Sequence, residues 1–461
     1  MIVDTRIKDI LTKELAWHYK IVPLKNENNK IVFNVGENAN LNHLKEELEV
    51  ILGVDIDFEI VTENEIHKLL NINYRQSNKK PTSNKQKGIL VDIINDAISI
   101  GSSDVHFEIY GEFARVRLRI DGVLIEKKRI EKEVYPEIVN RIKIQANLDI
   151  SEKRLPQDGR TKIGGYDIRV SILPTHFGEK IVMRILGQDA SNINIDDLGF
   201  EEKEKAIYLE SIKKSNGIIL ISGPTGSGKT TTLYATLKVL NEVKRNILTI
   251  EDPVEYTLKG INQVQLNENV GLTFSSALRS FLRQDPDIIM LGEIRDKETA
   301  EMAIRASLTG HLVFSTLHTN SAWGTISRLM DMGIQSFLIA ETLNISIAQR
   351  LVRKLCVQCK KESVIDMEDF PKNYKLPFPI KKHHIAIGCE KCHFTGYKGR
   401  RAIYEMIPIE KDIIDIIKKK KKNISEYLKE NDIKTLADKA FKLLENGETS
   451  LKEIYPLLIT N

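Results

Sequence analysis

The run Gly223–Thr230 (GPTGSGKT) holds the residue types that grip a phosphate chain. Gly223, Gly226 and Gly228 let the backbone bend until successive N–H groups point inward. Lys229 can reach the β- and γ-phosphates, and the Thr230 hydroxyl suits one Mg²⁺ position. By average composition, a GxxxxGK[ST] match arises by chance in such a chain on the order of once in a hundred. Context strengthens it. An apolar run, Ile218–Ile221, precedes the motif, and a helical pattern, Thr231–Leu240, follows and adds its N-terminal dipole. The competing reading is a glycine turn that binds nothing.

Cleaving a phosphoanhydride also needs acids near the metal and the attacking water. Two strand-like runs end in such groups. Asn246–Ile250 (NILTI) leads into Glu251, Asp252 and Glu255, and Asp287–Arg295 (DIIMLGEIR) carries Glu293. Carboxylates at the C-terminal ends of strands lie where α/β sheets bind ligands. Glu255 is the candidate to orient or deprotonate water, and Glu293 the indirect Mg²⁺ ligand, with Gly292 where an Asp is more usual. A third run, Leu312–Thr316 (LVFST), is bracketed by His311 and His318. His318 stands at the strand exit, where a γ-phosphate sensor sits. A lone histidine is more often a structural hydrogen-bonder.

The four cysteines form two CxxC pairs, Cys356/Cys359 and Cys389/Cys392, separated by 29 residues. Two such knuckles can aim four thiolates at one point, a closed tetrahedral site suited to structural Zn²⁺. The rivals are redox CxxC chemistry and free thiols. His383, His384 and His393 lie near as spare ligands. Four cysteines are too few for a secreted disulfide scaffold and point to a reducing compartment.

The elements that must position these groups follow from composition and pattern. At 461 residues the chain suggests about three domains. Its 41% hydrophobic and 29% charged content supports packed cores. A balance of 68 basic against 64 acidic residues argues no nucleic-acid binding by itself. No apolar stretch approaches a membrane span, and the start has no apolar signal core. Residues 1–75 read as a small α/β module, with strands at Lys20–Leu24 and Lys30–Val35 and a helix at Leu41–Leu52. Gln76–Lys87 reads as a polar linker, or else a solvated loop. Residues 88–190 open with a helix at Ile89–Ile100 and paired strands at Val105–Tyr110 and Ala114–Ile120. In that second strand Arg115, Arg117 and Arg119 share one face. Such a row is usually the wet side of a sheet, and less often a phosphate contact. Residues 191–355 form the nucleotide core, 356–400 the tetracysteine module and 401–461 a helical tail. The Lys418–Lys422 run reads as solvated.

Together these motifs resemble the secretion ATPases that drive type II secretion and type IV pilus assembly, from about residue 88 to the C-terminus. Residues 223–232 resemble that family's Walker A segment, which places Gly223, Pro224, Thr225, Gly226, Ser227, Gly228, Lys229, Thr230 and Thr231 around the nucleotide. Residues 249–255 (TIEDPVE) resemble its acidic box, 283–296 its Walker B region and 309–320 its histidine box. QRLVRKL (349–355) and TGYKGRRAIYE (395–405) flank the cysteine module as in assembly-type members. Residues 102–108, 116–122 and 154–160 resemble the family's second N-terminal domain. The resemblance implies a multidomain α/β fold: a RecA-like P-loop core behind a PAS-like domain, a small N-terminal α/β module, a zinc insert and a helical C-terminus. It implies a homohexamer with nucleotide between domains, and arginine fingers near VRLRIDG, raising Arg117 and Arg119, with Arg154 and Arg160 as weaker candidates. Ile109 stands where the family usually has proline, and Ser321 where an acid is common. The Arg-Leu-Gly-initiated repeat by which some members bind cyclic di-GMP is not found.

The expectation is therefore an ATP- and Mg²⁺-dependent motor with bound Zn²⁺. It would lie in the cytoplasm, peripheral to the inner membrane, act on an inner-membrane platform protein and bind no nucleic acid directly. The tetracysteine insert and extra N-terminal module favour pilus assembly over retraction. Type II secretion is the alternative. A zinc-dependent nucleic-acid-binding protein with an ancillary nucleotide site, or a metabolite kinase, are readings from other classes.

Overall fold

The computed structural model describes residues 11–459 except 12, 28–29, 38, 40, 75–88, 187–193, 373, 375, 378 and 422. The linker expected at 76–87, part of the connection after Leu186, and Lys422 of the lysine run lie outside the described residues.

Three sheets organise the molecule. The first joins β1 (Ile21–Glu27), β2 (Lys30–Gly36) and β3 (Asp55–Val61), with β1–β2 antiparallel and β2–β3 parallel. The Leu41–Leu52 and Glu63–Asn73 helices cross over it. The second helix starts at Thr62, whose hydroxyl accepts from Glu65 N while Glu65 returns to Thr62 N, so two otherwise open donors are satisfied. Ile21, Phe33, Val35, Leu48 and Ile66 form its core.

The second sheet is antiparallel, ordered β6-β5-β4-β9-β8-β7. Its strands are β4 (Asp104–Ile109), β5 (Ala114–Ile120), β6 (Val123–Ile130), β7 (Gln157–Ile163), β8 (Tyr166–Thr175) and β9 (Gly178–Leu186). Alternation works as expected in β5: Val116 and Leu118 are buried against the Ile89–Ser99 and Tyr135–Gln145 helices, and the arginines face the other way. That outer face is not simply wet. Asp104, His106 and Glu108 of β4 lie on it and are buried.

The third sheet has the order β12-β11-β13-β14-β10-β15-β18. Its members are β10 (Gly217–Ser222), β11 (Ile247–Glu251), β12 (Asn262–Gln265), β13 (Ile288–Leu291), β14 (Leu312–Leu317), β15 (Leu343–Leu355) and β18 (Tyr397–Pro408). Every pairing is parallel except β15–β18. Strands β10, β11, β13 and β14 are buried at every residue, because helices cover both faces, so they read as continuous apolar runs. Parallel pairing puts the C-terminal ends of β10, β14, β13 and β11 on one edge, in that order.

Residues 401–408 correct an expectation. They belong not to a helical tail but to β18, whose Ile345↔Pro408 and Arg353↔Arg400 register closes the sheet. Helices begin at Lys411 and pack Ile413, Ile417, Phe441, Leu444 and Ile454 into the core. Between β15 and β18 a small hairpin, β16 (Lys361–Val364) with β17 (Lys382–Ile385), spans the cysteine segment.

The middle sheet meets the rest through polar contacts. Asp121, in the β5–β6 turn, accepts from Gly399 N at 2.7 Å and lies 3.4 Å from Arg400, and Arg160 donates to Gln265 at 3.2 Å. The apolar cores on either side, one built from residues 90–185 and two from residues 195–458, are separate clusters. Among the described residues no helix is long and apolar enough to cross a membrane.

Candidate nucleotide site

The loop after β10 holds its expected shape for reasons visible in its glycines. Gly223 (φ 151°) has no room for a side chain: a Cβ there would sit 2.5 Å from the Gln349 carbonyl oxygen. Gly228 (φ 89°) starts the Lys229–Leu240 helix, and a Cβ would meet Gln349 Nε2 at 2.8 Å. Gly226 (φ 80°) faces open space and needs only its backbone freedom. Pro224, Thr225, Gly226 and Thr230 are exposed at the rim, and Ser227 is buried. Thr231 and Gly228 are half-buried. The Lys229 ammonium donates to the carbonyls of Gly223 (2.8 Å) and Pro224 (3.1 Å), folded over the loop. Burial pushes its pKa down, Glu293 opposes that, and Arg350 adds to it. Among the described residues the buried Ser227 hydroxyl has no partner. Inward-bending amides, a helix N-terminus and one ammonium fit a polyphosphate.

Gln349 of β15 was not singled out by sequence reasoning. Its amide donates to the Ser227 carbonyl (2.9 Å) and accepts from the Thr232 hydroxyl (2.9 Å), so β15 clamps the phosphate loop from behind. It lies within the quoted QRLVRKL segment, but only the β10–β15 pairing shows what it touches.

On the neighbouring strand ends, His318 Nε2 lies 3.4 Å from Glu293 Oε2. Arg295 donates to the other Glu293 oxygen and to Asp252 (3.2 Å). Gly292 sits where the more usual acid would be a tight fit: a Cβ would lie 3.2 Å from the Ile250 carbonyl oxygen. Glu251 is occupied structurally. It is buried, accepts from Tyr234 and from Thr249 (2.6 Å), and is bonded by Gln263 (3.1 Å). Glu255 is half-buried and its carboxyl carries no such bonds among those described. Burial raises its pKa, Arg184, Arg169 and Arg160 hold it down, and Glu251 raises it further. A carboxylate moved towards neutrality suits proton abstraction from water.

The arginines that act on Glu255 are thus Arg184 of β9, Arg169 of β8 and Arg160 of β7. Arg117 and Arg119 pair with acids of their own sheet, and Arg184 does so too, donating to Asp104 at 2.9 Å. Arg117 and Arg115 both pair with Glu108, and Arg119 lies 3.5 Å from Asp104. Burial pushes Glu108 up, but bonds from Arg117, Arg115 and Lys180 outweigh it and hold its pKa at about 2. Arg154 is exposed and paired with Glu152.

The four cysteine sulfurs all lie within 4.8 Å of one another. The separations are 3.8 Å for Cys356–Cys389, 3.8 Å for Cys359–Cys392 and 3.7 Å for Cys389–Cys392. A Zn–S bond of about 2.3 Å sets a tetrahedral edge of about 3.8 Å. Backbone N–H groups of Gly388 and Cys389 point at Cys359 and Cys392 sulfurs (3.3 and 3.2 Å), as thiolate ligands require. The residues fit a tetrahedral metal ion.

Fold and site define an α/β protein built around a phosphate-binding loop, with acids and a histidine along the same sheet edge. The family described as "Type II/IV secretion system protein" matches residues 80–456, and the chain belongs to it. It is 43% identical to the type IV pilus assembly ATPase PilB of Myxococcus xanthus, over 88% of this chain and 78% of that one. It is 40% identical to PilB of Pseudomonas aeruginosa, over 97% and 85%. It is also 46% identical to the type II secretion system protein E of that organism, over 78% and 73%. Among solved structures it resembles the pilus retraction motor PilT with bound ADP (26% identity, TM-score 0.55, 79% of this chain and 95% of that one). The fold is also that of the ATPase DotB from Legionella pneumophila (22% identity, TM-score 0.61, 83% and 98%).

Proposed function

We propose that this chain is the ATPase of a type IV pilus assembly machine. The observation that carries the reading is the row of groups along one sheet edge: the Lys229 loop on β10, His318 on β14, Glu293 after β13 and Glu255 beyond β11. Parallel neighbours about 4.8 Å apart present them in that sequence. ATP hydrolysis is the activity of this family, and this row supplies its chemistry. The Gly223–Thr231 segment holds the phosphates. Glu255 takes the proton of the attacking water, and His318, set by Glu293, reads the γ-phosphate. Arg184, Arg169 and Arg160 supply positive charge as negative charge grows on the transferred group. Thr230 and Glu293 would hold Mg²⁺, which neutralises phosphate charge when bound.

The middle sheet is the PAS-like domain of this reading, and the cysteine quartet its structural zinc site. Six copies form a ring on the cytoplasmic face of the inner membrane, against a platform protein. The relatives named for pilus assembly, matching up to 97% of this chain, support pilus extension. The 46% identical type II secretion protein E keeps secretion as the second reading. Purified protein should turn over ATP, and Lys229→Ala should lose at least about a hundredfold, the scale of removing a transition-state charge contact. Equal turnover in the two overturns the proposal. Restoration of pili, rather than of protein secretion, in strains lacking each motor separates the two readings.

A further inference from the structure

Arg350 and Glu405 belong to none of the motifs that carry the chemistry, yet both reach the nucleotide edge. Arg350 follows Gln349 on β15. Its Nη1 donates to the Gln349 carbonyl oxygen at 3.1 Å, the same oxygen that leaves Gly223 no space for a Cβ. Its Nη2 donates to Asn320 Oδ1 at 3.1 Å, two residues past His318. One guanidinium therefore spans the phosphate loop's rear wall and the loop that presents His318.

The far side of that loop is fixed independently. Glu405 of β18 is buried, with one oxygen accepting from Ala322 N (2.7 Å) and the other from Leu436 N (3.3 Å). Ser346 of β15 donates to the Ala322 carbonyl (2.8 Å). The His318–Ala322 turn is thus held at Asn320 and at Ala322 by the antiparallel β15–β18 pair. Charge is balanced there as well: Glu405 favours the charged form of Arg350 against its burial.

We propose that Arg350 is a positioning residue for phosphoryl transfer, holding the His318 loop in register with the phosphate loop through Asn320, with Glu405 anchoring the loop's other end. Planar geometry matters here. A guanidinium reaches two acceptors in fixed directions, and an ammonium on a flexible stem does not. The inference rests on the ATPase reading and adds a residue to it.

The test is steady-state ATP turnover by Arg350→Gln, Arg350→Lys, Asn320→Ala and the Arg350→Gln/Asn320→Ala double variant, beside wild type and Lys229→Ala. Asn320 is exposed, so its truncation leaves the core intact. Expected are kcat losses of about ten- to a hundredfold in each single variant, the scale of a small misplacement, with KM for ATP little changed. Arg350→Lys should not recover activity. The double variant should be no slower than the worse single one, because both changes remove one link. Multiplying losses, a raised KM with intact kcat, or full activity in Asn320→Ala overturns the inference. Full activity in Lys229→Ala would instead overturn the ATPase reading.

Discussion

Glu255 and the three arginines around it show how much one carboxyl depends on its neighbours. Burial and Glu251 push it towards the protonated form, and Arg184, Arg169 and Arg160 pull it back. As a base it must be ionised, so activity should fall as pH drops through its pKa. Arg184→Gln removes a charge that lowers that pKa, so the acidic limb of kcat/KM should move to higher pH. A limb that stays put, or moves to lower pH, would show that Glu255 is not the titrating base. Residue-scale reading from sequence singled out Glu255, Glu293 and His318 as candidates because each follows a short apolar strand run. It missed Arg184 and Arg169 for a physical reason. They lie on alternating antiparallel strands, one arginine to each, where a charged residue among the outward-facing positions looks like an ordinary solvated face. Only the strand order and the docking of that sheet on the core reveal what they face.

At the scale of elements, the phosphate loop is shaped as much by β15 behind it as by its own glycines. Gly223→Ala would drive a methyl group into the Gln349 carbonyl, within backbone that cannot retreat. It should abolish nucleotide binding measured with a fluorescent ATP analogue. Gly226→Ala meets no neighbour and should cost only the strain of its positive φ, on the order of 1 kcal/mol. Similar binding losses in the two variants would remove β15 from the account. Strands β10, β11, β13 and β14 were legible because burial on both faces writes a continuous apolar run. The β18 strand was not. Its partner in β15 is remote in sequence, and its Lys-Gly-Arg-Arg start carries no strand pattern. A helical tail was expected there for want of that long-range pairing.

For the whole molecule, the cysteine quartet is the most consequential appendage. The second knuckle runs directly into β18, the edge strand of the core, so its order is transmitted to the sheet. Elemental analysis of purified protein should find one zinc per chain, and Cys389→Ser should lose it. Stripping the metal with a chelator should lower the melting temperature, because structural zinc binding contributes directly to folding. Zinc-free protein with an unchanged melting temperature would contradict this. Light scattering with a non-hydrolysable ATP analogue should give the mass of six chains.

The seam between the middle sheet and the core has a mechanical meaning. Each side keeps its own apolar interior, and among the described residues polar stitches such as Asp121 to Gly399 and Arg160 to Gln265 join them. Undoing one exchanges a protein bond to a charged group for a bond to water, at a net cost of about 1.5–3 kcal/mol. A swing of one half against the other is therefore within reach of a single phosphoanhydride cleavage, and the stitches set how stiffly the joint resists it.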